Sequence, residues 1–291
     1  MSERPARIVD AHVHLWDPAR TDWYPYLSGR QDVNVDVSGS SRRFDVPTYR
    51  KESAGWNVVK LVNVAAATGK HSVAETLAMD AMAAEDAAAE GHPDAIVGGL
   101  PRAESIDEAI GFIDEQRSAP RFRGVRPMIG GIGPLPDREV LVALAERGLV
   151  FELMAHPDTL ADAARTFAGI PDLDVVVEHT GWPRDDSDEE RALWSAGLEA
   201  LASVGERVSC KLSGLAMPLG SMSAEVLRPW VERAIETFGA HRCMFASNFP
   251  VDGAHGTWDE LYSSFNAITA GLPETDRDQL FAGTAERVFS L

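Results

Sequence analysis

The sequence contains few of the residues on which several common protein classes depend. Only two cysteines, Cys210 and Cys243, occur among 291 residues, which excludes a disulfide scaffold and a cysteine-rich zinc site. Both lie in apolar runs, and we therefore expect buried free thiols in a reducing, cytoplasmic compartment. No apolar run approaches the roughly 20 residues of a membrane helix. The first residues also lack the apolar core of a secretory signal.

Basic residues are scarce as well. Lysine and arginine number 27 against 45 aspartates and glutamates, a formal net charge of −18. Phosphate backbones and anionic membrane surfaces would repel such a chain, so nucleic acid and membrane are excluded as partners, and a small-molecule substrate is expected. Lys211 is the only lysine after position 70. The hydrophobic content of 45% is ordinary for a folded protein and excludes wholesale disorder.

Short apolar, β-branched runs recur along the chain, and stretches rich in helix-forming residues separate them. Several runs are hydrophobic at every position, which is typical of parallel strands covered on both faces. The runs predicted to be strands are 7–15, 58–65, 95–100, 122–128, 149–154, 173–179, 207–212 and 243–247. The stretches predicted to be helices are 73–90, 105–116, 137–147, 159–167, 189–204, 224–238 and 257–269. This alternation predicts one α/β domain over residues 1–291, a (β/α)8 barrel. A doubly wound open sheet is disfavoured because no glycine-rich turn follows the first strand.

The connection after the first strand is unusually long. Residues 16–49 include Trp16, Trp23, Tyr24 and Tyr26, and such aromatic content argues against disorder. We expect an enlarged loop that caps the barrel mouth. A structural flap packed on the rim is the alternative.

Three histidines lie where a barrel places its catalytic groups, at the C-terminal ends of strands. His12 and His14 are two residues apart at the end of the first strand, so both imidazoles project to the same side. His179 ends the sixth strand and adds a third imidazole. Convergent imidazoles can hold a metal or orient a water and a carbonyl oxygen. Three core histidines bonded to backbone are the alternative.

Two carboxylates and an amide are further catalytic candidates. Asn248 ends the eighth strand, beside the first strand in a closed barrel, and an amide can orient a water but cannot take its proton. Asp252 is a carboxylate at the same rim, with capping of the following turn as its alternative role. We expect Glu152 to point inward, where burial raises the pKa of a carboxyl group and makes it usable as an acid or a base.

Cations are predicted inside the barrel. The alternation of side chains along a strand predicts that Arg126 and Lys211 point inward. A buried cation is destabilising unless it is paired with an anion. The partner is either an internal carboxylate such as Glu152 or the carboxylate of an anionic substrate. The remaining candidate substrate contacts are Arg102, Arg123, His156 and Trp16.

Five segments, in order along the chain, together resemble one known family. They are VDAHVHLWDP at 9–18, FRGVR at 122–126, EHTGWP at 178–183, KLSGL at 211–215 and FASNFP at 245–250. Each segment alone is weak evidence for a family, but each lies at a predicted strand. The chain resembles the amidohydrolase superfamily, and within it the lactonase branch of fuconolactonase-, rhamnonolactonase- and 2-pyrone-4,6-dicarboxylate lactonase-like enzymes.

The resemblance implies a distorted (β/α)8 barrel and hydrolysis of a carbon–oxygen ester, usually a lactone of a sugar acid or a dicarboxylate. By this resemblance, His12, His14 and His179 correspond to the family's site histidines, and they are also the candidate metal ligands. The family has an aspartate, acting as general base or metal ligand, where this chain has Asn248. The resemblance therefore leaves open whether the site holds one divalent cation such as zinc or no metal. Barrels of this kind often pair, so a homodimer is expected.

The resulting hypothesis is a hydrolase. A lactone binds beneath residues 16–26, with Arg126, Lys211 and Arg123 holding its carboxylate or hydroxyls. The three histidines polarise the carbonyl, and a water loses its proton to Glu152, Asp252 or a histidine while Asn248 orients it. A metal-dependent decarboxylase or amidase of the same superfamily and a non-catalytic binding protein on a barrel scaffold are the alternatives.

Overall fold

Eight short runs of buried, largely β-branched residues form parallel strands, as predicted. In a computed structural model, which describes residues 3–28, 41–128 and 134–291, they form one sheet in chain order from β1 to β8. The strands are β1 (Ile8–Val13), β2 (Val58–Val64), β3 (Ala95–Pro101), β4 (Phe122–Met128), β5 (Val150–Leu153), β6 (Val175–Val177), β7 (Val208–Leu212) and β8 (Cys243–Phe245). The predicted (β/α)8 architecture is confirmed.

The first and last strands meet just beyond their regular hydrogen bonding. Val13 and Phe249 form an isolated parallel bridge. The backbone amide of His14 donates to the carbonyl of Phe249 across 2.8 Å, and the amide of Asn248 donates to the carbonyl of His12 across 2.9 Å. The nearly closed barrel is therefore joined at the candidate site residues themselves.

Helices cover the outside of the barrel, and most follow the predicted segments within a few residues. Ser105, Ser187, Ser223 and Thr257 begin four of them, each accepting a hydrogen bond from a backbone amide of the first turn. The helices in the predicted segments are α2 (His71–Glu85), α3 (Ile106–Gln116), α4 (Arg138–Glu146), α5 (Pro157–Ala168), α6 (Asp188–Ala202), α8 (Ala224–Phe238) and α9 (Trp258–Ile268). None of the described helices combines the length and apolarity needed to cross a membrane.

Some helices lie outside the predicted segments. The predicted loop 16–49 includes the beginning of a helix, α1 (Val46–Glu52), whose first turn is capped by the Asp45 carboxylate. Trp16 and Phe44 form an antiparallel bridge at the base of this segment, and residues 29–40 of it lie outside the described residues. The other unpredicted helices are α7 (Ala216–Leu219), α10 (Glu274–Asp278) and α11 (Thr284–Phe289).

The barrel interior below the site is filled by apolar side chains. Val9 and Ala11 of β1 pack with Val62, Val176 and the other inward residues, and α11 contributes to the same cluster. The β1–β2 pairing shifts register between Asp10 and Val13. This irregularity explains how β1 directs Val9 and Ala11 into the apolar cluster and His12 and His14 into the polar site above it.

Candidate active site

The two histidines of β1 are buried and form a directed hydrogen-bond chain. His14 Nδ1 lies 2.8 Å from the carbonyl oxygen of Val64, and because a carbonyl can only accept, this nitrogen carries the proton. His14 Nε2 is then an acceptor, and His12 Nε2, 3.2 Å away, donates to it. His12 Nδ1 is left as an acceptor. Burial, reinforced by nearby cations, lowers the pKa of both histidines, to about 3 for His14, so both are neutral.

Lys211 supplies the donor that His12 Nδ1 requires. Its Nζ lies 3.4 Å from His12 Nδ1 and 2.5 Å from Glu152 Oε1, and both Lys211 and Glu152 are completely buried. Burial and the adjacent Glu178 raise the pKa of Glu152, while the Lys211 ammonium opposes the rise. Lys211 is thus paired internally, as one of the two sequence alternatives predicted.

Arg126 is paired internally as well, but with Glu178 rather than Glu152. Arg126 Nη1 lies 3.2 Å from Glu178 Oε2. Burial alone would raise the pKa of Glu178, but attraction to Arg126 and to His179 holds it at about 2, so this carboxylate is ionised. Among the described atoms, Arg126 Nε is buried without a hydrogen-bond partner. The guanidinium therefore keeps unused donor capacity beside the histidines.

Glu178 is a site residue that sequence reasoning missed. Strand alternation would point it away from His179, its neighbour in the chain. However, β6 ends at Val177, and His179, Thr180 and Trp182 all have positive φ angles. This left-handed turn lets two consecutive side chains enter the site. The signal available in the sequence was the Glu-His pair followed by Gly181 at a strand end.

His179 is held firmly at the end of β6. Its Nδ1 is 3.0 Å from Ser213 Oγ, its ring centroid is 4.7 Å from that of His12, and its Nε2 is 3.8 Å from Glu178 Oε2. Burial lowers the pKa of His179 to about 4 against the opposing pull of Glu178, so it is neutral. Gly214 packs directly against the ring, since a Cβ added there would lie 2.5 Å from His179 Cγ.

Asn248 and Asp252 form a polar pair beyond β8. Asn248 Nδ2 donates to Asp252 Oδ1 across 2.8 Å, and Asp252 Oδ2 is buried without a partner among the described atoms. Burial raises the pKa of Asp252 to about 7, with the interactions of its carboxylate with Asn248 and with the backbone amide of Gly214 acting in the opposite direction. A carboxyl group with this pKa exchanges its proton readily near neutrality.

Aromatic residues of the first connection cover the histidines. The ring of Trp16 stacks on His14 with centroids 5.6 Å apart and 2° between the planes. Tyr24 packs near Trp16, and its hydroxyl donates to Oε1 of the buried Glu75 across 2.8 Å. The backbone amides of Ala66 and Ala67 donate to Oε2 of Glu75. The described part of the predicted cap is therefore fixed to the ends of β1 and β2.

Among the described contacts, three predicted substrate-binding residues do not touch the histidines directly. Arg123 is at the start of β4, where its guanidinium donates to backbone carbonyls at the opposite end of the barrel. Arg102 follows β3 and is exposed at the rim. His156 is half-buried, with Nδ1 2.9 Å from the carbonyl oxygen of Trp182. The placement of Arg123 corrects the prediction that it holds substrate.

The site residues fit a divalent metal ion. His12, Glu178 and His179 each offer one ligand atom, and these atoms all lie within 4.8 Å of one another. Two imidazoles and a carboxylate are a typical zinc donor set, and His14 Nε2 lies next to His12 Nε2. The set differs from the predicted one in having Glu178 in place of His14. Binding through His12 Nε2 requires loss of its proton, so metal binding competes with the hydrogen-bond chain.

Comparisons with known proteins agree on one family. A family model described as "Amidohydrolase" matches residues 9–291. The "Uncharacterized protein y4mH" of Sinorhizobium fredii is 29% identical over 296 residues, covering 96% of each chain. The L-fucono-1,5-lactonase of Burkholderia multivorans is 32% identical over 154 residues, which cover 49% of this chain and 50% of that protein.

Solved structures share the fold. A Burkholderia multivorans amidohydrolase with bound zinc superposes with a TM-score of 0.77 at 23% identity, covering 98% of this chain and 100% of that one. The 5-carboxyvanillate decarboxylase of Sphingomonas paucimobilis superposes with a TM-score of 0.66 at 15% identity, covering 99% of both chains. At these identities the likeness concerns the barrel alone.

Proposed function

Because the chain belongs to the amidohydrolase family, we propose that this hydrolase opens a lactone or a related cyclic ester by attack of water on the carbonyl. The observation that carries the proposal is the Asn248–Asp252 pair at the rim that also holds the neutral histidines. The partial match to L-fucono-1,5-lactonases supports the same substrate class.

Asp252 is the proposed general base. Its pKa of about 7 leaves much of it ionised at neutral pH, and the free Oδ2 can accept a proton from water while Asn248 holds Oδ1. The attacking water forms the new carbon–oxygen bond and passes its proton to Asp252. When the ring carbon–oxygen bond breaks, Asp252 returns that proton to the leaving alkoxide, which gives the hydroxy acid.

Negative charge develops on the carbonyl oxygen during the attack. His179 and the unbonded N–H groups of Arg126 are the proposed donors to this oxygen, because both are buried, held by fixed partners and adjacent to one another through Glu178. A divalent ion held by His12, Glu178 and His179 would supply Lewis-acid polarisation of the same carbonyl. Lys211 acts indirectly, by fixing the protonation of His12.

The charge pairing favours an uncharged substrate. Lys211 and Arg126 each already have a carboxylate partner, and Asp252 adds negative charge at the rim. A substrate carboxylate would therefore find no unpaired cation among the described buried residues. Trp16, stacked on His14, and Tyr26, in edge contact with Trp16, instead place aromatic rings beside the histidines, which suit the ring of a sugar lactone.

The proposal is tested by turnover of a lactone panel, with the acid product detected by a pH indicator. Wild-type protein is expected to hydrolyse at least one sugar lactone, and His179→Ala is expected to lose most of that activity. Unchanged turnover in His179→Ala, or no turnover of any lactone, would refute it. Release of carbon dioxide or ammonia from a carboxylate or amide substrate would identify the decarboxylase or amidase alternative instead.

A further inference from the structure

The C-terminal helix closes the end of the barrel opposite the site. Ala282, Ala285 and Phe289 pack into the interior apolar cluster with strand residues such as Val9 and Val176. Phe289 is completely buried. The floor of the barrel therefore includes Ala285 and Phe289 of α11.

Phe289 packs close to the ammonium of Lys211, a completely buried polar group of the site. Lys211 Nζ is 5.3 Å from the centroid of the Phe289 ring. The same ammonium contacts Glu152 and His12 through its hydrogen bonds. An aromatic face attracts a cation without offering a competing hydrogen-bond acceptor, and the attraction is strongest where water is excluded. The ring thus leaves the ammonium donors directed at Glu152 and His12.

Arg123 fixes the position of Phe289. Arg123 Nε donates to the Phe289 carbonyl across 2.8 Å, and Arg123 Nη1 donates to the carbonyls of Pro120 and Phe122 at the start of β4. Phe289 is the last residue of α11, where helix carbonyls lack partners within the helix and favour a cation. Arg123 therefore joins the end of the helix to the base of the barrel.

We propose that Arg123 and Phe289, together called the basal seal, position Lys211 for the reaction at the mouth. Phe289 excludes water from below and holds the ammonium against Glu152 and His12, and Arg123 holds Phe289. Neither residue touches substrate. Their effect on turnover rests on the proposed function, whereas their shielding of Lys211 does not.

Shielding is measured by the reactivity of the lysines. The chain has four lysines, of which Lys51 and Lys70 are exposed and serve as internal references. Native protein is treated with acetic anhydride and digested, and acetylation at each lysine is quantified by mass spectrometry. In the wild type Lys211 should remain unmodified while the references react. In Phe289→Ala, Lys211 should be acetylated at least about tenfold faster, because a cavity then connects it to solvent.

The matched control is Val288→Ala, since Val288 lies on the same helix and packs on the same cluster, whereas the cation–ring contact with Lys211 is made by Phe289. It should leave Lys211 protected. Equal protection of Lys211 in Phe289→Ala and Val288→Ala would overturn the proposal. Circular dichroism checks that the variants are folded. If Phe289→Ala unfolds, Phe289→Val, which opens a smaller cavity at the same position, replaces it and should again make Lys211 react faster than in Val288→Ala.

Kinetics separate positioning from general stability. Phe289→Leu should lower kcat for lactone hydrolysis by about tenfold with KM within about twofold, because the seal acts on Lys211 and not on substrate. Arg123→Gln should change kcat in the same direction, and Val288→Ala should not change it. A fully active Phe289→Leu would overturn the positioning role. A wild type without lactonase activity would refute the proposed function while the labelling still tests the seal.

Discussion

The side-chain amide of Asn248 donates to Oδ1 of Asp252 across 2.8 Å and leaves Oδ2 of this buried carboxylate free. Asn248 adopts a left-handed conformation with φ of 55°, which asparagine tolerates better than most residues. The family resemblance places a catalytic or metal-binding acid at Asn248. In this chain the nearest carboxylate lies four residues further on and is oriented by the amide that replaces that acid.

Activity should depend on the ionisation of Asp252. Burial raises the pKa of this carboxyl to about 7, and a general base must be deprotonated, so kcat/KM should rise as pH increases through about 7. The measurement is a pH–rate profile of lactone hydrolysis that extends roughly two pH units on either side of this pKa. Asp252→Asn should lose this rise together with most activity. A profile that falls over the same range would contradict the assignment.

Stability should change with pH in the opposite sense. The folded state favours protonated Asp252, so this group's stabilising contribution is complete below its ordinary pKa of 3.8 and is lost as pH rises through about 7. Asp252→Asn should therefore show a smaller loss of unfolding free energy than the wild type between these values. Urea denaturation at several pH values tests this. It also shows whether the inactive variant is folded.

Gly214 should be needed for the position of His179. Gly214 and Gly220 share a φ of +65°, but an added Cβ meets the His179 ring at 2.5 Å in the first case and nothing within 4 Å in the second. Gly214→Ala and Gly220→Ala therefore carry a similar backbone cost. Only Gly214→Ala should also lower kcat, by about a hundredfold, because small displacements of a reacting group cost that much. Equal kcat values in the two variants would show that His179 tolerates displacement.

Lys211 and Glu152 should depend on each other for stability. Removing one partner of a buried pair leaves an uncompensated group and costs about 3–5 kcal/mol. Lys211→Met should therefore lower the free energy of unfolding strongly, and adding Glu152→Gln should restore part of the loss. Lys70→Met, which breaks an exposed pair with Glu108, is the control and should have far less effect. A double variant as unstable as the sum of the single ones would contradict the coupling.

Zinc should bind at the histidine–carboxylate cluster. One equivalent of zinc should raise the Tm of chelator-treated protein, because the folded state presents His12, Glu178 and His179 together. His179→Ala should abolish the rise. His241→Ala removes an exposed histidine paired with Glu206 and should leave it intact. A wild-type Tm unaffected by zinc would show that the site does not take the metal.

The enzyme should prefer uncharged lactones to those that carry carboxylates. Both buried cations near the histidines are already paired, so an added negative charge would meet Asp252 and Glu178 without compensation. We expect kcat/KM for a sugar lactone to exceed that for a carboxylated lactone of similar size by about tenfold or more. Arg102→Ala removes an exposed cation at the rim and tests whether that residue changes the ratio. The reverse preference would contradict the charge argument.

Most of the fold was readable from the sequence because buried parallel strands are hydrophobic at every position. The inward direction of His12 and His14 followed from their spacing, even though a register shift in β1 determines which face they share. The short helix α11 was not predicted, since Ala285 and Phe289 acquire their role only when the barrel closes around them.

The polar pairs were harder to predict than the residues that form them. Glu152, Arg126 and Lys211 were identified, but the partner of Arg126 proved to be Glu178, whose direction depends on a left-handed turn that no periodicity encodes. The different orientations of Arg123 and Arg126 were predictable from the sequence. The two are three positions apart on one strand, so they face opposite sides, and Arg123 lies near the strand's beginning.

The junction between β1 and β8 links ligand binding to the integrity of the whole barrel. The described backbone bonds across this junction involve His12, His14 and Asn248, the residues that also face the site. A ligand bound simultaneously by the histidines and by the Asn248–Asp252 pair would hold β1 and the end of β8 together. Amide hydrogen exchange at His14 and Asn248 should then slow on binding more than exchange within the central strands.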